Sequence, residues 1–218
     1  MQNGFCLTPH PWQEAIGSHL NKMLCPASNI APGPVLLVCQ PTGGGKSLVC
    51  NTFAVAHGSI TWCISPLLSP AAYQVTKLQQ HAALSLIVTI HLDEHTRDAS
   101  KLRQLCLQLA SIPKSSSLTI IVFSSPQILV DNLLVRNLFR TLSLNHDDSK
   151  KIGPTLLAID EVHLFTQFGL YFRDEFLKLR PLVFDKLRVG GTRQSNNSYR
   201  STVPILFMSV TVTTFMVE

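Results

Sequence analysis

Residues 34–50 read PVLLVCQPTGGGKSLVC, and this stretch decides the fold. An apolar run, Val35 to Cys39, meets a turn-forming Gln-Pro-Thr and three glycines, and a second apolar segment follows Lys46 and Ser47. The pattern predicts a strand, a phosphate-binding loop and a helix in immediate succession. Gly43, Gly44 and Gly45 carry no Cβ, so the backbone can turn its N–H groups toward an anion, with Pro41 and Thr42 forming the entry to the loop. Lys46 supplies a point charge suited to β- and γ-phosphates, and the Ser47 hydroxyl suits Mg²⁺. The helix that starts here aims its positive dipole end at the same place. Against the strict G-x-x-x-x-G-K-[ST] pattern, Gln40 stands where the first glycine would be.

Working outward, residues 11–24 (PWQEAIGSHLNKML) place Trp12, Ala15, Ile16, Leu20, Met23 and Leu24 at helical spacing with Pro11 in the first turn. Beyond the loop, apolar runs at Ser59–Ser65, Leu84–Ile90, Leu118–Phe123, Thr155–Ile159 and Ile205–Val212 alternate with segments expected to be helical. Those segments are Leu48–Val55, Ala71–Gln80, Asp98–Leu109 and Gln127–Leu142. Strands this apolar, alternating with helices, predict an α/β fold with a mostly parallel sheet covered by helices on both faces. Ligands of such sheets bind at the carboxyl ends of the strands. Lys46, Ser65, Ser125, Asp160, Glu161 and Thr211 all fall at or just beyond those ends, so they are expected to converge on one edge.

The chain has 218 residues, 45% of them hydrophobic and 14% charged, which excludes a disordered polyelectrolyte and fits one core-forming domain over residues 1–218. A composition break occurs only in the polar, glycine-opened loop at 190–203, and the N-terminal region 1–33 leads into the first strand. The net charge of +5 permits a polyanionic partner without requiring one. Six cysteines show no C-x-x-C pair, and several sit within apolar runs, which favours a reducing, intracellular setting. No run of eighteen apolar residues is present, so no membrane partner is expected.

A second signal follows the apolar TLLAI of the fifth run: Asp160-Glu161-Val162-His163. A carboxylate at a strand tip beside a phosphate loop can hold Mg²⁺, and the next can polarise the water that attacks a γ-phosphate. Asp160 is assigned the metal role, Glu161 the base role.

With Gln13, the glycine-lysine loop and Asp-Glu-Val-His in this order, the chain resembles the first, ATP-binding motor domain of superfamily 2 helicases, and within them the RecQ family. PTGGGKSL at 41–48, SPLLSPAAYQV at 65–75, SSPQIL at 124–129 and DEVHLFTQFGLYFRDEFLKL at 160–179 carry the resemblance. It implies a RecA-like P-loop NTPase domain with ATP and Mg²⁺ as cofactors and Gln13 among the nucleotide contacts. It also implies coupling residues at His163, Thr211 and Thr213, and 3′-to-5′ DNA unwinding by the intact enzyme. Single-stranded or forked DNA would meet Ser65, Pro66, Ser125, Pro126, Phe168, Phe172 and Arg173, the last three in an aromatic loop that senses DNA in the family. Stacking of bases on aromatic faces, with an arginine beside them, makes that physically reasonable. The second motor domain, which contributes an arginine to the reaction, is not expected within these residues. For a eukaryotic source the nucleus is the expected location.

Some positions depart from the family pattern. His10 and Cys6 stand where an adenine clamp has Arg and Tyr, with Phe5 or Trp12 as alternative stacking surfaces. Phe168, Leu170 and Tyr171 replace Trp, His and Asp, and Gln127 replaces Glu. His91-Leu92-Asp93-Glu94-His95 matches the H-x-x-E-H zinc signature, but it leaves a predicted strand where a helix is needed, so no zinc is expected. Two other readings are a non-catalytic module derived from such a helicase and an unrelated phosphate-loop kinase. The second requires an acceptor pocket and lid, which the sequence does not display.

Overall fold

The computed structural model describes residues 9–24, 35–57, 60–66, 87–92, 98–112, 118–144, 154–164, 174–184 and 203–211. Six strands form one sheet: β1 (Val35–Cys39), β2 (Ile60–Ile64), β3 (Ile87–His91), β4 (Thr119–Ser124), β5 (Pro154–Ile159) and β6 (Ile205–Ser209). Their order is β1-β6-β5-β2-β4-β3, and every neighbouring pair is parallel. The first strand lies on one edge, and the last two insert between it and β2. That insertion brings the carboxyl ends of β1, β6, β5 and β2 side by side.

The described helices are α1 (Pro11–Leu24), α2 (Lys46–His57), α3 (Ala99–Ser111), α4 (Pro126–Asp131), α5 (Leu133–Leu144) and α6 (Asp174–Leu179), the last running into a π-helical turn, Arg180–Phe184. Parallel strands need crossovers, and these lie on both faces of the sheet. On one face α1 and α2 pack Leu20, Val49, Cys50 and Phe53 against Val38, Cys63, Ile121, Phe123, Leu156, Ala158 and Met208. On the other, α3, α4, α5 and the π-helical turn bury Leu102, Leu129, Leu138, Phe139 and Val183 against Ile60, Trp62, Ile64, Ile120, Val122, Leu157 and Ile159. Alternate residues of one strand thus serve opposite cores, which is why β2 and β4 read as unbroken apolar runs and are buried throughout.

Trp62 is the largest fully buried side chain. Its ring meets Phe139 edge to face at 5.0 Å, and its indole Nε1–H donates to Ser124 Oγ at 2.8 Å, so the buried N–H is satisfied. The segment expected as one helix over 127–142 is two. Asn132 closes α4 by donating its N–H to Ile128 O, and its side-chain Oδ1 accepts from Leu134 N and Val135 N to open α5. The Arg136 guanidinium then takes up Val130 O at 2.8 Å, a carbonyl that the break would otherwise leave without a helical partner. Asp98, taken as the first residue of its helix, is instead the N-cap of α3, accepting from Ser100 N and Lys101 N. β6 stops at Ser209, three residues short of the expected end. The expected helix at 71–80 and the polar loop at 190–202 lie outside the described residues.

We predict that Ser124→Ala lowers unfolding stability by about 1–3 kcal/mol, the cost of stranding a buried donor. Urea denaturation checks it, and a change below about 0.5 kcal/mol, the usual bound for neutral substitutions, would show that the indole N–H finds another partner.

Candidate nucleotide site

The site is built on the loop between β1 and α2. Gly43 and Gly45 adopt φ of +80° and +84°, conformations that strain any residue with a Cβ. At Gly44 a Cβ would lie 3.0 Å from Pro41 O, because the loop closes tightly enough for Gly44 N to donate to that same carbonyl. Each of the three glycines therefore has its own local reason. Lys46 opens α2 and is 8% exposed. Its ammonium donates to Gln40 O at 2.7 Å and Pro41 O at 3.3 Å. An ammonium has three N–H donors, so the carbonyls occupy two and the third remains for an incoming anion.

Gln13 reaches the loop from α1. Its Nε2–H donates to Gly45 O at 3.1 Å, while its Oε1 accepts from His10 N at 2.8 Å. A Cβ on Gly45 would come 2.7 Å from that Nε2. Both ends of the amide that was expected to meet the nucleotide are engaged within the chain, and the side chain is buried. Here it braces the phosphate loop. Trp12, considered as a stacking surface, packs half-buried against the core beside α2. Phe5 lies outside the described residues.

Two strands away, Asp160 and Glu161 leave the tip of β5. The turn is tied to both neighbouring strands, with Asp160 N donating to Ile64 O of β2 at 2.9 Å and Val162 N donating to Met208 O of β6 at 3.0 Å. Glu161 has φ of 52°, a left-handed conformation uncommon for a residue other than glycine and costing of order 1–3 kcal/mol. Asp160 Oδ1 accepts from Glu161 N at 3.0 Å, and Glu161 Oε2 lies 3.3 Å from His163 Nδ1. These contacts surround the strained turn, whose Asp160 faces the same small cavity as Ser47 of the loop. Burial, then the neighbouring Glu161 charge, push the Asp160 carboxyl up, while the Glu161 backbone N–H, Lys46 and His163 draw it back.

His163 also meets Ser209 Oγ at 3.2 Å, and Ser209 in turn bonds to the backbone of Thr211 at both its C=O and its N–H. Sequence reasoning had put the coupling hydroxyls at Thr211 and Thr213. The hydroxyl that touches His163 is Ser209, Thr211 enters through its main chain, and Thr213 lies outside the described residues. The signal was available, since Ser209 is the first hydroxyl after the wholly apolar Ile205–Met208, two residues before Thr211. Gln40 N donates to Ser209 O at 3.0 Å, so the end of β6 bridges the phosphate loop and the carboxylate turn.

Ser47 and Asp160 line one small cavity together with Cys50, Cys63, Ser65, Phe123 and Met208. Of the residues expected to meet DNA, Ser65, Pro66, Ser125 and Pro126 are buried, and Ser125 Oγ caps α4 by accepting from Ile128 N at 3.2 Å. As placed, they shape the turns at the ends of β2 and β4 and do not offer an open surface. Phe168, Phe172 and Arg173 lie outside the described residues. His91 ends β3 and is buried, and residues 93–97 of the zinc-like segment are likewise outside. Among the described residues no group of three His, Cys, Asp or Glu side chains is placed to hold a metal ion.

The ATP-dependent DNA helicase Q5 of Rattus norvegicus is 28% identical over 147 residues, covering 67% of this chain and 14% of the relative. The ATP-dependent DNA helicase Q1 of Rattus norvegicus is 27% identical over 144 residues, covering 66% and 21%. The chain therefore spans about a fifth or less of the relatives it matches. Among solved structures, RecG bound to a three-way DNA junction aligns over 97% of this chain at 14% identity and a TM-score of 0.50. A nuclease-deletion mutant of the Type ISP restriction-modification enzyme LlaGI, in complex with a DNA substrate mimic, aligns over 94% at 14% identity and a TM-score of 0.51. These two likenesses show a shared RecA-like α/β fold. The model of the DEAD/DEAH box helicases matches residues 24–217, and the chain belongs to that family.

Proposed function

We propose that the chain is the nucleotide-binding motor domain of a RecQ-like DNA helicase, which binds ATP at the carboxyl edge of β1 and hydrolyses it in concert with a second motor domain. The observation that carries this reading is the meeting of three elements on one edge: a glycine-shaped loop, a buried ammonium two thirds occupied by carbonyls, and two carboxylates on a strained turn. The phosphates of ATP would lie against the N–H groups of Gly43, Gly45, Lys46 and Ser47, with the third N–H of the Lys46 ammonium donating to a phosphate oxygen. Ser47 and Asp160 share a cavity, and the raised Asp160 carboxyl gains from a cation beside it, so this pair fits Mg²⁺. When bound there, the ion would neutralise charge on the phosphate oxygens.

Glu161 would accept a proton from the attacking water, and its Oε2, buried without a hydrogen-bond partner 3.3 Å from His163 Nδ1, supports that reading. The step breaks the bond between the γ-phosphorus and its bridging oxygen, and water forms the new one. His163 and Ser209 then provide a path by which the state of Glu161 reaches the end of β6. The DNA-binding role proposed for the aromatic loop at 168–173 draws support from the DNA-bound structural neighbours and from the names of the relatives. An intracellular setting is proposed with it, in keeping with free thiols at Cys39, Cys50, Cys63 and Cys106.

Lys46→Ala is expected to weaken Mg·ATP binding tenfold or more, because charge-assisted hydrogen bonds contribute about 1.5–3 kcal/mol each. Glu161→Gln should bind nearly as tightly as the parent and hydrolyse about 10²–10⁴-fold more slowly. Calorimetric titration and a phosphate-release assay distinguish the two, and an unchanged affinity for Lys46→Ala in a folded protein would overturn the loop assignment.

Asp160 makes a prediction of the opposite kind. Its folded pKa is raised, so the folded state holds the proton more tightly, and stability falls as pH climbs from the unfolded carboxylate pKa through the folded one. Above the folded pKa the nucleotide-free protein carries this penalty. Asp160→Asn should raise the melting temperature of the nucleotide-free protein at pH 7 and leave it nearly unchanged at about pH 3, below the ordinary carboxylate range, while abolishing the Mg²⁺ dependence of ATP binding. A lower melting temperature at pH 7 would show that the ionised carboxylate stabilises the fold.

A further inference from the structure

Both ends of the Gln13 amide serve the chain itself, and the reason is local. His10 stands just ahead of α1, its C=O accepting from Gln13 N at 2.8 Å and from Glu14 N at 3.2 Å, which makes it the N-cap. Gln13 is then the third helical residue, and its Oε1 accepts from His10 N at 2.8 Å. That is the returning arm of a capping box, in which a glutamine at this position satisfies the N–H of the cap. The other end of the same amide donates to Gly45 O at 3.1 Å. With the residue 8% exposed, the amide is enclosed between the start of α1 and the phosphate loop.

Gly45 O accepts a second hydrogen bond, from Leu48 N at 3.1 Å, so both lone pairs of this carbonyl are used. The peptide joining Gly45 to Lys46 is thereby held by two elements at once. In a planar trans peptide the N–H lies opposite the C=O, so the Lys46 N–H is directed away from Gln13. That N–H belongs to the first turn of α2, whose donors have no helical acceptor, and in the proposed function it meets a phosphate oxygen. The contact that orients this phosphate donor is therefore the same one that occupies the glutamine.

A side-chain amide identifies adenine by presenting its N–H and its C=O together to one base edge. Gln13 presents them to Gly45 and His10. Close to it on α1, His10 is exposed and Trp12 half-buried, and an aromatic ring stacks on any base without telling one from another. We propose, resting on the nucleotide reading of this site, that Gln13 is a positioning residue for the phosphate loop. The site consequently takes nucleoside triphosphates by their phosphates, purine and pyrimidine alike, with ATP as one of several substrates.

The test is calorimetric titration of the chain with the Mg²⁺ complexes of ATP, GTP, CTP, UTP and inorganic tripolyphosphate. Parent, Gln13→Ala and Gln13→Glu are compared, each with its melting temperature. The four nucleotides should bind the parent within about tenfold of one another, where a site that hydrogen-bonds the distinguishing group separates them by about 10⁴-fold or more. Gln13→Ala should weaken all five ligands by one common factor of about two- to tenfold, the worth of one hydrogen bond. Gln13→Glu keeps the arm to His10 N but has no donor for Gly45 O, so it should weaken all five at least as far with α1 still capped. A larger preference for ATP in the parent, or a loss in either variant that spares tripolyphosphate, overturns the proposal. So does a pair of variants that bind all five as the parent does, whatever their melting temperatures, since that marks an amide with a merely structural role. If the folded parent binds none of the five, the nucleotide reading itself fails, and base indifference falls with it.

Discussion

β6 is the strand on which the rest of the site depends. It is the last strand among the described residues, yet its hydrogen bonds hold β1 on one side and β5 on the other. The end of β1 is tied to it through Gln40 N and Ser209 O, the carboxylate turn through Val162 N and Met208 O, and His163 through the Ser209 hydroxyl. Buried main-chain groups must be paired, and here that requirement fixes the distance between the glycine loop and the carboxylate turn, which lie more than a hundred residues apart in sequence. Removing β6 would expose both and leave each without its positioning partner.

Energy is concentrated at this edge in forms that the cores can bear. The two apolar layers occupy residues such as Trp62, Ile64, Phe139 and Leu156, which are fully or almost fully buried. Around them the carboxyl edge holds a buried ammonium, a desolvated carboxyl and a left-handed glutamate, none of which favours the empty fold. Such features persist where the surrounding structure over-determines them. In the proposed function each is relieved by a ligand: phosphate for Lys46, a cation for Asp160, an attacking water for Glu161. That is the physical content of a site prepared in advance.

Much of this was legible in the sequence. Apolar runs bounded by Pro, Gly and Ser located all six strands, because strands buried on both faces leave a continuous signal. The phosphate loop and the Asp-Glu turn were legible because their chemistry demands particular residue types in a row. Strand order was not, since nothing in Ile205–Ser209 alone says that it inserts between β1 and β5. The break at Asn132 was hidden by apolar periodicity that continues through it, although Asn is a natural cap on both sides. Gln13 illustrates another limit: its residue type suits reading a base, but the hydrogen bond to Gly45 is a tertiary fact.

The central claim is that the loop at 43–47 is already shaped for a polyphosphate and is completed by it. The most direct measurement is a two-dimensional amide NMR titration of the chain with Mg·ADP, using AMP as the control. The account predicts that the N–H signals of Gly43, Gly44, Gly45, Lys46 and Ser47 move most on adding Mg·ADP and remain in place with AMP, which lacks the β-phosphate. Equal shifts with AMP, or none in this loop, would contradict it.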